Sequence, residues 1–373
     1  MPKRTSQPKK LPYRKVSEKD FNEHVIGRRA RRRQKFRKAL RFGVTGALLA
    51  AALAGGFAAM EALLQVSETP LPAEQVTTAP GSTTEDLAPR PEPEGEPMRS
   101  FYVPINMLDR REQSRALMRQ AETQGANTAV MPFKDGNGYL TYRSNLMQQS
   151  LLRSNEKARY RTDWTLYDLK KRAEQRIVAV IHCFDDPLAA DRMAEAAVLL
   201  RDTGNAAWKD AEGRRWLNPF SEAAREYLLA VIREVAAFGP DQRYRADDIL
   251  LCGVRFPDGN LQSAAFPGSE TPDDPEARNR ALRGFIEEAK DAAGETANLY
   301  VMISAQDAGG GAEALGGDLW DSAADFIAVD VRGASWSKND KLWSTRPAIP
   351  VVASPEDTKN ARDYIVLEED AQG

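Results

Sequence analysis

Aspartate residues follow several short apolar runs in the C-terminal three quarters of this chain. Asp135 and Asp186 come after the second and third runs, and Asp307 and Asp330 lie at the fifth and sixth. Two carboxylates can cleave a glycosidic bond when one is held protonated and the other is ionised. These four aspartates are therefore candidate catalytic residues, with the alternative that each caps a helix.

The apolar runs alternate with helical stretches, which predicts parallel strands joined by crossover helices. Eight such units over about 270 residues predict an α/β fold of the (β/α)8 barrel type, whose functional loops follow the strands. An open, doubly wound sheet is the alternative. The predicted strands are Phe101–Asn106, Thr128–Phe133, Ile177–Phe184, Ile249–Phe256, Leu299–Ser304, Phe326–Val331, Ile349–Ala353 and Tyr364–Leu367. The predicted helices are Arg111–Thr123, Leu166–Glu174, Asp191–Leu200, Ser221–Phe238 and Pro275–Ala293.

The net charge of -2 averages two unlike parts of the 373-residue chain. Residues 1–42 carry 16 Lys and Arg against three acidic residues, so this arm has a charge of +13 and the remainder has -15. An acidic body argues against nucleic acid as the partner.

The segment Gly43–Val66 is apolar, and its first 18 residues carry no charge. A helix that spans a bilayer needs about 20 such residues. Because the arginine-rich stretch 28–41 precedes it, the positive-inside rule places the N-terminus in the cytoplasm. We predict an uncleaved signal anchor in the cell membrane, with lipid contacts through this segment and the basic arm; a cleaved signal peptide and a buried helix are alternatives.

The chain after the anchor divides into a tether and a folded domain. Residues 67–99 are rich in Pro, Thr and Glu, which is typical of an extended linker. The predicted organisation is a cytoplasmic arm (1–42), a single transmembrane anchor (43–66), this linker (67–99) and an extracytoplasmic barrel (100–373).

Trp208 and Trp216, together with Tyr139 and Tyr142, are candidate aromatic contacts for a sugar. Aromatic faces suit the apolar faces of sugar rings. The alternative is that both Trp residues pack a long loop onto the barrel.

Four ordered motifs resemble a known family. They are Lys134-Asp135 with Tyr142 and Ser144, then Phe184-x-Asp186-Pro187, then Trp208-x-Asp210 with Trp216-x-Asn218-Pro219, and finally Arg255-Phe256-Pro257. This pattern is similar to the glycosyl hydrolase domain of exported bacterial proteins of unknown function, a TIM-barrel family related to α-amylase-type enzymes. The resemblance implies a glycan or cell-wall polysaccharide as partner and no cofactor. It implies substrate contacts at Lys134, Tyr142, Trp208, Asp210, Trp216 and Arg255.

The fourth predicted strand departs from the family pattern. Cys252 replaces the barrel-facing aspartate, and Gly253 replaces the tyrosine that follows it. The sixth strand, 328–332, also lacks the family motif. Because a thiol cannot replace a carboxylate in this chemistry, we expect a catalytically impaired barrel that binds a glycan or acts as a scaffold. An active glycoside hydrolase with relocated carboxylates is the alternative.

The remaining reactive residues give weaker signals. His182 and Cys183 are adjacent on a strand, where their side chains point to opposite faces, so a nucleophile pair is disfavoured. Cys183 and Cys252 could form a disulfide in an oxidising compartment, or remain buried thiols. The sequence has no metal-ligand spacing.

Overall fold

The computed structural model describes residues 96–368, except 147, 150–151, 158–161, 173–174, 239–243, 310–312 and 338–347. The predicted arm, the predicted anchor Gly43–Val66 and most of the predicted linker lie outside the described residues. Within the described part, no helix combines the length and apolar character needed to cross a membrane.

Eight parallel strands form one sheet, and each strand pairs with the next of the eight along the chain. These strands are β1 (Ser100–Tyr102), β2 (Thr128–Lys134), β3 (Arg176–His182), β5 (Asp248–Cys252), β7 (Asn298–Ser304), β8 (Phe326–Asp330), β9 (Ala348–Val352) and β10 (Ile365–Val366). Two shorter strands, β4 (Leu199–Leu200) and β6 (Ala264–Ala265), form a separate antiparallel pair.

The sheet curves into a nearly closed barrel, which brings its first and last strands together. Arg99 and Tyr364 form a parallel bridge beside β1 and β10, and the backbone N–H of Val366 donates to Oγ of Ser100 at 2.6 Å. All eight predicted strands are confirmed, with ends that shift by a few residues. Their apolar runs identified them because parallel strands of this kind are buried on both faces.

Helices cover the outside of the barrel, mainly over its first five strands. They are α1 (Arg111–Thr123), α2 (Thr162–Arg172), α3 (Pro187–Arg192), α4 (Glu222–Ala236), α5 (Pro275–Ala293) and α6 (Ala305–Ala308). The last units are reduced: beyond α5, the described residues contain only the four-residue α6 and single turns of 3-10 helix. The barrel is therefore consistent with a (β/α)8 fold whose later helices are short.

The prediction of a helix over Asp191–Leu200 is wrong. Asp186 caps α3 by accepting a hydrogen bond from the backbone N–H of Ala189, and Pro187 occupies the first helical turn, so the helix starts earlier than predicted. It ends at Met193, whose backbone is not helical. The chain then turns into β4 and a set of antiparallel bridges that reaches Leu217.

The two longest helices are amphipathic and begin at side-chain caps. Ser221 accepts from the backbone N–H of Ala224 at the start of α4, and Asp274 caps α5. The buried face of α4 follows helical spacing and comprises Ala224, Tyr227, Leu228, Leu229, Val231, Ile232 and Val235. Phe285 of α5 packs on Phe184 with ring centroids 4.8 Å apart. These faces bury the outer surface of the strands.

A polar cluster lies where three neighbouring strands begin. Asp248 is fully buried and forms a bidentate ion pair with Arg176, in which Nη2 lies 2.6 Å from Oδ1. Nδ2 of Asn298 donates to the same carboxylate at 2.8 Å. Charge compensation and hydrogen bonds together make this burial tolerable.

A second ion-pair cluster joins α1 to α2. The buried carboxylate of Asp168 accepts two hydrogen bonds from Arg111, at 2.8 and 3.0 Å, and two from Arg115, at 2.9 and 3.2 Å. The hydrogen bonds from Arg111 lower the pKa of Asp168, against the effect of burial, and those from Arg115 add to bring it to about 2.

We predict that replacing Asp168 with Asn removes a pH-dependent part of the stability. A carboxyl group with a lowered folded-state pKa stabilises fully above its unfolded value of about 3.9 and loses this effect as pH falls through about 2. Because the guanidinium groups face solvent, we expect a contribution of about 1 kcal/mol. Urea unfolding at pH 6 and pH 2 measures it.

The matched control is Glu112→Gln, which removes an exposed partner of Arg115. The difference in unfolding free energy between wild type and the Asp168 variant should shrink from pH 6 to pH 2, whereas the Glu112 variant should follow wild type. An equal difference at both pH values would show that the pairs do not act through ionisation of Asp168.

Candidate functional site at the barrel mouth

His182 and Asp185 form a hydrogen-bonded pair at the barrel mouth, which we define as the C-terminal ends of the barrel strands and the loops that follow them. His182 is the last residue of β3, and its Nδ1 lies 2.8 Å from Oδ2 of Asp185. Burial alone would raise the pKa of Asp185, but His182 and the charges of Lys134 and Arg214 lower it to about 2. Asp185 is therefore ionised at working pH.

Two glycines leave room for this pair. Gly253 has a φ of +66°, and a Cβ at that position would lie 2.1 Å from Oδ1 of Asp185. A Cβ on Gly136 would lie 3.3 Å from Nδ1 of His182. Nη2 of Arg214 donates to the carbonyl oxygens of Gly136 at 2.9 Å and Asp185 at 3.3 Å. The loops after β2, β3 and β5 are thus fitted around one imidazole–carboxylate pair.

Cys252 lies next to His182 on the neighbouring strand. The two residues are register partners in β3 and β5, so their side chains share a face of the sheet. The thiol is fully buried, 3.9 Å from Sδ of Met302, and burial raises the pKa of Cys252 well above its ordinary value. Cys183 and Cys252 are both free, so the buried-thiol alternative describes them and the disulfide does not form.

Asp186 and Lys134, predicted as catalytic and substrate-binding residues, form a fully buried ion pair. Lys134 Nζ lies 2.9 Å from Asp186 Oδ2 and donates to the carbonyl oxygen of His182 at 2.6 Å. The hydroxyl of Tyr227 donates to the same Oδ2 at 2.9 Å, while Oδ1 caps α3. With no exposed surface, both residues hold the loop after β3 and cannot contact a ligand directly.

Asp135 holds the loop after β2. Its Oδ1 accepts hydrogen bonds from the backbone N–H groups of Asn137 at 3.0 Å and Tyr139 at 2.8 Å. Burial raises the pKa of Asp135 above its ordinary value, against the effect of these two hydrogen bonds. The charge of Lys134 also lowers the pKa of Asp135.

Asp307 and Asp330 each bond to a side chain close by in the sequence. Asp307 is 8% exposed and accepts from Oγ of Ser304 at 2.8 Å at the start of α6. Asp330, at the end of β8, forms a bidentate ion pair with Arg332 at 2.9 and 2.7 Å. Arg332 also donates to the carbonyl oxygen of Leu367 at 3.1 Å, so it ties the ends of β8 and β10 together.

Three of the four predicted aromatic contacts, Tyr142, Trp208 and Trp216, are buried, and Tyr139 is half-buried. The hydroxyl of Tyr142 donates to Glu234 of α4 at 2.8 Å. Trp208 Nε1 donates to Oγ of Ser263 at 3.0 Å, and Trp216 Nε1 donates to Oδ2 of Asp210 at 2.7 Å. These hydrogen bonds hold loops of the domain in place.

Arg255 is a predicted substrate contact that is half-buried at the mouth. It pairs with the exposed Asp258, and its buried Nε has no hydrogen-bond partner within the described residues. Beside the mouth, a cleft of about 530 Å³ lies among the loops after β3 and β5, lined by Asp191, Asn205, Trp208, Lys209, Arg215 and Ser263.

Sequence reasoning missed the central pair. His182 is the one histidine of the predicted barrel and lies near the end of the predicted strand Ile177–Phe184, and Asp185 follows three residues later. That combination at the C-terminal end of a barrel strand was the available signal. It was overlooked because Asp186, one residue further, matched the family motif.

A family model described as "Putative glycosyl hydrolase domain" matches residues 100–309. The chain belongs to this family. The match covers the barrel from β1 through α6, including every loop that contributes to the His182–Asp185 pair.

Several solved structures are similar to this glycosyl hydrolase family member. The glycoside hydrolase domain of PgaB (BpsB) from Bordetella bronchiseptica is 13% identical, covers 73% of this chain and 94% of its own, and has a TM-score of 0.51. A hypothetical protein from Ruminiclostridium thermocellum is 20% identical, over 54% of this chain and 96% of its own, with a TM-score of 0.46. The catalytic domain of β-amylase from Paenibacillus polymyxa is 12% identical, covers 73% of this chain and 92% of its own, and has a TM-score of 0.44.

No curated protein matches the chain. At these identities the first of the three structures supports the barrel fold and nothing finer. The chemistry of the mouth therefore has to be argued from its own residues.

We predict that Lys134→Met destabilises the barrel by about 3–5 kcal/mol, because it leaves the carboxylate of Asp186 buried without its cation. Arg255→Ala is the matched control, since it breaks an exposed ion pair at the same mouth and should cost about 0–1 kcal/mol. Urea unfolding of the two variants at pH 7 measures both effects. A loss below about 1 kcal/mol for Lys134→Met would mean that the pair is not a structural element.

Proposed function

We propose that this protein is a membrane-anchored, extracytoplasmic barrel that binds a glycan at its mouth and has lost two-carboxylate glycoside hydrolysis. The anchor and the orientation are supported by the sequence alone, through the apolar segment Gly43–Val66 and the basic residues before it. Membership of a glycosyl hydrolase family supports a glycan as the partner.

One observation carries the loss of hydrolysis: the barrel-facing end of β5 holds the buried thiol of Cys252 in place of a carboxylate. Glycoside hydrolysis needs a protonated carboxylic acid and an ionised carboxylate on opposite sides of the scissile bond. A thiol with a raised pKa supplies neither group.

The other carboxylates do not replace it readily. Asp186 is fully buried in an ion pair, and Asp330 is held by Arg332. Asp185 has a pKa of about 2 and is ionised, so it cannot donate a proton. The predicted pair of acid and nucleophile is therefore not assembled from these residues.

One specific observation favours the alternative of an active hydrolase. Burial raises the pKa of Asp135, and its Oδ2 makes no hydrogen bond within the described part of the chain, since both backbone bonds go to Oδ1. A half-buried acid with a free oxygen has the character of a proton donor. Its nucleophile would have to be Asp330, released from Arg332.

The decisive experiment is calorimetric titration of the full-length protein in detergent against neutral, acidic and amino-sugar oligosaccharides and peptidoglycan fragments. Mass spectrometry of each mixture then measures cleavage. We expect binding without new reducing ends. Arg280→Ala, on the exposed face of α5, is a control that should bind as wild type does.

New reducing ends would contradict the loss of hydrolysis and make Asp135→Asn the next variant, with loss of cleavage expected. An absence of binding across the panel would contradict the glycan-binding proposal itself.

A further inference from the structure

The pair at the mouth is arranged so that the imidazole is its outer member. The side chain of His182 is 27% exposed, whereas that of Asp185 is 13% exposed. The imidazole is therefore the more accessible member of the pair to a group that enters the mouth.

The carboxylate fixes which ring nitrogen is free. A carboxylate oxygen accepts, so Nδ1–H of His182 is the donor in its 2.8 Å contact with Oδ2 of Asp185. In the neutral ring this leaves Nε2 without a proton, as a hydrogen-bond acceptor. Within the described residues, no side chain or backbone group bonds to Nε2.

This arrangement is costly for a pair that would only stabilise the fold. Oδ1 of Asp185 is buried and has no hydrogen-bond partner within the described residues, and leaving a buried acceptor without a partner destabilises the fold. The pair also requires a residue without a Cβ at position 253. A buried unsatisfied group in a native protein calls for an explanation, and function is a common one.

We propose that Nε2 of His182 accepts a hydrogen bond from a hydroxyl group of a saccharide bound in the mouth, with Asp185 as the positioning residue. This inference rests on the proposed glycan binding and names the contact that recognises the sugar. A bare ring nitrogen recognises an O–H donor, which the hydroxyl groups of a sugar ring supply.

Nuclear magnetic resonance tests the proposal directly, because the chain has only two histidines, His24 and His182. With ¹⁵N-labelled histidine in the full-length protein, His24→Gln assigns the signals. We expect His182 to show a protonated Nδ1 and a bare Nε2. Cellotetraose and fully acetylated chitotetraose are the neutral probes, and the Nε2 signal should move during titration with a probe that binds.

Calorimetric titration of variants measures independently how much His182 contributes to saccharide affinity. We expect His182→Ala to weaken binding of the same probe at least tenfold, and His182→Gln, which keeps an acceptor oxygen, to restore part of the loss. Asp185→Asn should weaken binding and change the protonated ring nitrogen in the spectrum. Arg280→Ala should change neither, and circular dichroism checks that each variant is folded.

The possible failures are distinguishable. If a probe binds wild type and His182→Ala equally, with no movement of the Nε2 signal, the proposed function stands and this inference is overturned. If no saccharide binds wild type, the proposed function fails and the inference falls with it.

Discussion

The buried ion pair between Lys134 and Asp186 is the interaction on which the barrel mouth depends. It joins the end of β2 to the loop after β3, and Lys134 also bonds to the carbonyl oxygen of His182. Asp186 caps α3 and accepts from Tyr227 of α4. The ammonium group of Lys134 thus fixes the chain on both sides of Asp185. This restricts the conformation of Asp185 to one in which its side chain reaches His182.

The groups at the central mouth complement one another on neighbouring loops. At β5, the resemblance noted in the sequence implies aspartate and tyrosine, whereas the chain has the uncharged Cys252 and the small Gly253. Asp185 occupies the space beside Gly253 and places a carboxylate from the loop after β3 there. Because a carboxylate at position 252 would lie beside an ionised Asp185, like-charge repulsion makes the two arrangements mutually unfavourable. Cys252 and Gly253 are therefore compatible with the His182–Asp185 pair.

The sequence predicted the strands well and the site poorly, for different physical reasons. Burial on both faces makes each barrel strand a continuous apolar run, which is a local signal. The role of an aspartate depends on partners far along the chain: Asp186 meets Lys134, and Asp185 meets Gly253. Adjacent carboxylates in one loop, one buried and one facing the mouth, cannot be told apart without those contacts. The prediction of a helix over Asp191–Leu200 is wrong for a similar reason, because the last two residues of that segment form β4 and pair with β6, which lies far along the chain.

The carboxylates at the two ends of the barrel differ in how completely their oxygens are hydrogen-bonded. At the start of β3, β5 and β7, the carboxylate of Asp248 receives hydrogen bonds on both oxygens, from Arg176 and Asn298. At the other end of β3, Asp185 has one oxygen satisfied and one without a partner within the described residues. A cluster with every oxygen satisfied can be closed to solvent, whereas a partly satisfied pair beneath an exposed imidazole is under-bonded in the free protein. Since both clusters involve β3, the satisfied end can anchor the strand, while the under-bonded end holds Nε2 of His182, the acceptor that we propose for a saccharide hydroxyl.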